Sequence, residues 1–155
     1  MRYPALRRSV YATVLASVIV IPIQAPRKNI KLSDFKRLSW IAGEWVGSGG
    51  AYSAFYERYT FVNDSTIEQF SFTDASMTTI SDRSTIALRN GRITQTSENA
   101  RHNAVSIDAR GITFIGAKPG QNSFNFRRAA KGAWLATLVV PGGKKTVYEM
   151  KPKRE

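Results

Sequence analysis

From Gly43 onward the chain alternates apolar and polar residues with a period of two, the pattern of strands that bury one face. Phe55, Tyr59 and Phe61 share one parity, and Tyr56, Arg58 and Thr60 the other. Asn63-Asp64-Ser65 turns the chain into Thr66 to Phe72, where Phe70 and Phe72 fall on one face. A polar stretch from Thr73 to Ser76 leads to a weaker strand pattern from Met77 to Asp82. The clearest hairpin joins Thr85–Arg89 to Arg92–Thr96 through Asn90-Gly91, which supplies the two positive-φ residues of a tight type I′ turn. Val105–Asp108 and Ile112–Ala117 flank a turn at Ala109-Arg110-Gly111, and Pro119-Gly120-Gln121-Asn122 marks another. Phe124–Arg128, Trp134–Val140 and Thr146–Lys151 complete the series, the last two linked by Pro141-Gly142-Gly143.

About nine or ten short strands at close spacing, with no long helix between them, describe an all-β chain. Short connections make sequence neighbours antiparallel. An up-and-down meander of this length removes its exposed edges by closing into a barrel. The expected fold is therefore a closed up-and-down antiparallel β-barrel.

The stretch Leu38-Ser39-Trp40-Ile41-Ala42-Gly43-Glu44-Trp45-Val46-Gly47 organises its start. Leu38, Trp40 and Ile41 suit a short helical plug across one end of the barrel. Gly43 permits a sharp bend into the first strand, because a residue without Cβ tolerates the dihedrals involved. Trp45 then points into the barrel base, where an indole covers a large apolar area. Upstream, residues 26–37 (PRKNIKLSDFKR) form a basic linker in which Ser33 or Asp34 can cap a helix running toward Trp40.

This opening resembles the L-x-W-L-x-G-x-W start of bacterial lipocalin-like families in the calycin superfamily. The similarity extends over residues 38–152, through Phe124-Asn125-Phe126-Arg127-Arg128, Gly132-Ala133-Trp134, Pro141-Gly142-Gly143 and Val147-Tyr148-Glu149-Met150. The resemblance implies a barrel with a small-molecule cavity, without naming the ligand. It also implies that a first-strand Trp packs against an Arg from a late strand: Trp45 takes the first role and Arg127 or Arg128 the second. Strand parity sends Arg128 inward with Phe124 and Phe126, so Arg128 is expected on Trp40 or Trp45, its planar cation lying on a ring face.

Residues 1–25 carry Arg2, Arg7 and Arg8 ahead of an apolar run from Val10 to Ile23, the make-up of a secretory signal. The run is short for a membrane span. Pro26 directly after Ala25 opposes cleavage there, so the segment is either cut elsewhere or kept as an N-terminal tether. A periplasmic or secreted location is expected, with no transmembrane domain beyond this segment. The chain has a formal net charge of +12, which favours anionic partners such as envelope polyanions. Arg83, Arg89, Arg92, Arg101 and Arg110 are scattered over strand ends and turns rather than gathered in a stripe, as on a solvated basic surface. Tyr56-Glu57-Arg58-Tyr59 interleaves aromatic and charged residues in the manner of single-strand binders, but the scatter and the export signal argue against nucleic acid.

With no cysteine, disulfides, thiolate catalysis and cysteine-held metals are excluded. His102 is the sole histidine and is expected in a solvated polar loop, Glu98 to Asn103. Neither a histidine pair nor a late-strand histidine is present to hold a metal or a haem, and no G-x-S-x-G elbow occurs, so no cofactor, metal or catalytic residue is assigned. A barrel of this size holds one small ligand among its inward side chains. If Phe55, Glu57, Tyr59 and Phe61 point inward, the cavity is aromatic with one carboxylate. Phe70, Phe124, Phe126, Trp134 and Tyr148 are further candidate wall residues, and Trp40, Trp45 and Arg128 the candidate base. The sequence reading is thus an exported barrel that binds a small, largely apolar molecule. A packed barrel with a basic exterior, acting as an envelope interaction module, is the first rival. A small isomerase or hydrolase using a buried Glu57 or Glu68 is the second.

Overall fold

A computed structural model describes residues 29–154; the signal-like segment and the Pro26 cleavage question lie outside the described residues. The chain enters through a short helix, α1 (Leu32–Lys36), and a 3-10 turn over Arg37–Ile41. Ten strands follow: β1 (Gly43–Gly49), β2 (Tyr52–Asn63), β3 (Thr66–Phe72), β4 (Ile80–Arg89), β5 (Arg92–Ser97), β6 (Arg101–Ile107), β7 (Gly111–Gly116), β8 (Ser123–Arg128), β9 (Trp134–Val139) and β10 (Lys145–Pro152). Each pairs antiparallel with its sequence neighbours, and β1 pairs with β10 to close the barrel. The architecture agrees with the closed meander expected from the alternation. No helix among the described residues is long and apolar enough to cross a membrane.

Some boundaries differ from the sequence reading. The helix begins earlier than a Ser33 or Asp34 cap would set it: Lys31 is its N-cap, and the Asp34 carboxylate reaches back to accept the Lys31 backbone N–H at 3.2 Å. Met77–Thr79 lie outside any strand, and Ile80–Asp82 joins the Thr85–Arg89 strand in one ten-residue strand, β4. Its polar centre, Ser81-Asp82-Arg83-Ser84, hides the continuity because alternation there is not written in apolar residues. His102 lies in β6 rather than a loop, buried with its ring 4.9 Å from that of Phe124.

The plug and the β1 end form one core. Phe35, Leu38 and Ile41 are fully buried, and Phe35 meets Phe61 of β2 edge-on at 5.9 Å. The indole N–H of Trp45 donates to the Ile41 carbonyl at 2.7 Å, tying β1 to the turn that precedes it. Trp134, only 1% exposed, collects Trp40, Trp45, Tyr59 and Phe126 around itself with centroids at 6.0, 5.8, 5.7 and 4.9 Å. All four contacts are edge-to-face, the arrangement ring quadrupoles favour.

Arg128 does not take the place expected for it over Trp40 or Trp45. Both Arg127 and Arg128 are exposed, and Arg128 ends β8 at the barrel rim, opposite Trp134 in the ladder. Trp134 already fills the space that a guanidinium would need. Among the described residues, the guanidinium groups that lie over rings belong to Arg58, on Phe72 at 5.0 Å, and Arg83, on Phe70 at 5.1 Å.

Asn90 and Gly91 both have positive φ, 50° and 68°, as the type I′ turn demands. The Gly91 carbonyl accepts the Ile30 N–H at 2.9 Å, and a Cβ at Gly91 would run into the Asn29 side chain, so Asn29 and Ile30 dock on this turn.

Two stability outcomes follow from these contacts. Trp134→Ala should lower stability by about 3–5 kcal/mol, measured by denaturant titration, as expected for deleting a buried indole; a loss below about 1 kcal/mol would place Trp134 outside the core. Gly91→Val should cost about 1–3 kcal/mol from backbone strain, and a neutral midpoint would mean that the turn is not type I′.

Candidate ligand cavity

Above the tryptophan base the barrel opens into a cavity of about 490 Å³. Inward parity on β2 brings Phe55, Glu57 and Tyr59 to its wall, which settles the face left open by the sequence. On β3 the cavity is lined by Gln69 and Ser71, each opposite a cavity residue of β2 (Tyr59 and Glu57), and by Phe72 at the strand end. Across the barrel, Phe124, Phe126, Ala136, Leu138, Tyr148 and Met150 supply apolar wall. Tyr52, Phe55 and Tyr148 cluster at the open end, with Phe55 and Tyr148 perpendicular at 5.5 Å.

The lining corrects two sequence assignments. Phe70 points away from the cavity: it pairs with outward-facing Arg58 and packs beneath Arg83. Parity read from phenylalanines chose Phe70, whereas the barrel turns Gln69 and Ser71 inward and adjusts with an irregularity between Ser71 and Phe72. Trp134 is inward but belongs to the base, below the cavity rather than on its wall. Gln69, Ser71, Ser84 and Gln95 were not singled out from sequence, because polar residues at inward positions look like the solvent face of a strand.

Those polar residues form a connected set around Glu57. The Tyr59 hydroxyl donates to one carboxylate oxygen at 2.8 Å, and the Gln69 amide donates to the other at 3.0 Å. Behind Gln69, the Ser84 hydroxyl donates to its amide oxygen at 2.5 Å, and the Gln95 amide donates to Ser84 at 3.0 Å. Every donor in this chain is aimed toward Glu57. Register makes it possible: Tyr59, Gln69 and Ser84 sit side by side on β2, β3 and β4. Burial pushes the Glu57 carboxyl above its usual range; bonds from Tyr59, Gln69 and Ser71 pull the other way, and the Asp82 charge adds to the rise. Burial, with the neighbouring Glu57 charge, also raises Tyr59, which keeps its phenolic proton and remains a donor.

Gly47 of β1 shapes the cavity by lacking a side chain. The Phe55 ring lies directly over its backbone, where a Cβ would collide with the ring. Glu68 pairs with Thr60 and Thr85 and does not line the cavity. Burial lowers the His102 pKa, so the ring is held neutral more readily than a free imidazole. Among the described residues no three His, Cys, Asp or Glu side chains gather where they could hold a metal.

No protein-family model matches the chain, and no curated protein does. The fold itself is compatible with a lipocalin-like barrel.

The raised Glu57 pKa gives stability a pH dependence of known sign. The folded state holds this proton more tightly than the unfolded state, whose value is near 4.5. The stabilisation from protonation is complete below that value and is lost as pH rises through the folded one. Glu57→Gln, neutral throughout, should therefore gain stability relative to the unsubstituted protein as pH rises above 4.5. Parallel stability curves for the two proteins would show that Glu57 is solvated.

Proposed function

We propose that this chain is an exported, lipocalin-like binding protein that holds one small molecule with a largely apolar body inside its barrel. The open, mostly apolar cavity of about 490 Å³ carries this reading. Its size falls within the range of about 300–1,000 Å³ typical of small-molecule sites, and its few polar groups converge on one wall. A packed interior would have favoured the rival, an envelope module acting through its basic exterior; binding of anionic envelope components is proposed only as a secondary property of the charged surface. The signal-like residues 1–25 support export to the periplasm or beyond. Membership of the calycin superfamily is proposed on the opening motif together with the closed barrel.

Burial of Glu57 is the one observation that favours an acid–base enzyme. Both of its oxygens are already bonded to Tyr59 and Gln69, and no histidine or second carboxyl lines the cavity to complete a proton-transfer pair. Binding is therefore the better-supported activity.

Fluorescence titration with N-phenyl-1-naphthylamine, a neutral apolar reporter, tests the reading. The protein should bind about one equivalent with an emission increase. Ala136→Phe, which fills the cavity from its wall, should weaken binding about tenfold or more while leaving the fold intact by circular dichroism. Equal binding by the filled variant would move the ligand off the barrel interior.

A further inference from the structure

The cavity wall has a charge pattern opposite to that of the whole molecule. Glu57 is its one carboxylate, and no lysine, arginine or histidine shares the lining, in a chain whose formal net charge is +12. No salt bridge among the described residues reaches Glu57; Arg58, next to it in sequence, turns outward and pairs with Glu44 at 2.7 Å. Glu57 is half-buried on the wall of an open cavity, and a carboxylate partly withdrawn from water with no counter-ion beside it can accept one from a ligand.

The hydrogen bonds indicate which form of Glu57 the wall is built around. Tyr59 and Gln69 donate to its two oxygens, and Ser84 and Gln95 polarise Gln69 in the same sense. As placed, Tyr59 and Gln69 both donate to Glu57, whereas the neutral acid would require the Tyr59 or Ser71 hydroxyl to turn and accept its proton. The arrangement suits the anion and offers its remaining lone pairs to the cavity. Close by, Tyr52, Phe55 and Tyr148 meet at interplanar angles of 73°, 88° and 50°, so their ring faces look in different directions around the cavity's open end. Such ring faces attract a cation.

We propose that the ligand of this cavity is an amphiphilic amine, with its apolar body between the aromatic and aliphatic walls and its protonated nitrogen set against the Glu57 carboxylate. The proposal rests on the small-molecule reading above and names the chemical class within it. A fatty acid would bring a second negative charge beside Glu57, with no cation on the wall to receive it. A neutral alcohol would fit the walls but leave the carboxylate without a counter-charge.

Isothermal titration calorimetry at neutral pH with octylamine, 1-octanol and octanoate, which share one apolar chain, separates these cases. Octylamine should bind the unsubstituted protein at least about tenfold more tightly than either other compound. In Glu57→Gln that preference should collapse toward parity while octanol binding persists. Octanol or octanoate binding as tightly as the amine would overturn the amine proposal and leave the small-molecule reading standing. An amine preference undiminished in Glu57→Gln would equally overturn it, because the selectivity would then arise elsewhere. If no compound binds and the naphthylamine reporter is also silent, the small-molecule reading itself fails. The three-way comparison in the unsubstituted protein decides the question even if the variant does not fold.

Discussion

The edge-to-face packing of four aromatic side chains on Trp134 is the interaction on which the rest of the barrel depends. Trp134 opens β9, but its neighbours come from the 3-10 turn (Trp40), β1 (Trp45), β2 (Tyr59) and β8 (Phe126). The first three come from consecutive elements at the start of the barrel, and Phe126 and Trp134 from β8 and β9 near its end. The ring cluster therefore ties early strands to late ones and fixes their relative height at one end of the barrel. The Trp45 N–H bond to Ile41 then locks the plug to β1. With that end sealed by side chains, the barrel needs no filling at the other, and the cavity is the consequence.

Above the base, two different devices keep the interior open. Gly47 withholds a side chain so that the Phe55 ring can lie flat against β1 instead of projecting across the lumen. On the opposite parity choice, β3 gives up an apolar interior for Gln69 and Ser71, and β4 and β5 add Ser84 and Gln95. Buried polar groups are tolerable only when their bonds are satisfied, and the cross-strand row of Tyr59, Gln69 and Ser84 satisfies them. The result is a cavity with one polar wall centred on Glu57 and apolar walls across from it. The basic residues stay outside, where Arg58, Glu44 and Lys153 pair on the surface at 2.7 and 3.7 Å.

Much of this architecture was legible in the sequence, for identifiable reasons. The Asn90-Gly91 turn is forced by backbone sterics, and the period of two follows from a sheet with one buried face. The Trp40-to-Trp45 spacing marked the plug because apolar residues of a helical turn precede a glycine and a strand. The site was less legible where burial is polar. Gln69, Ser84 and Gln95 face inward but carry no apolar signature, and for the same reason the centre of β4 and the burial of His102 were hidden. Trp134 has the right parity for the cavity wall, yet parity alone cannot distinguish base from mouth. Arg128 has inward parity as well, but it ends its strand at the rim, where Trp134 occupies the space and the side chain is left exposed.

The barrel is sealed at the tryptophan base, and the proposed amine would enter through the opposite end. Two-dimensional 1H–15N NMR during titration with octylamine tests it directly, because the three indole N–H groups of Trp40, Trp45 and Trp134 report the base separately. The account predicts large shifts for the backbone amides of Phe55, Glu57 and Tyr148 and for the Gln69 side-chain amide, with the indole signals nearly unmoved. Shifts confined to the indoles and the exterior arginines, with the residues around Glu57 silent, would contradict it.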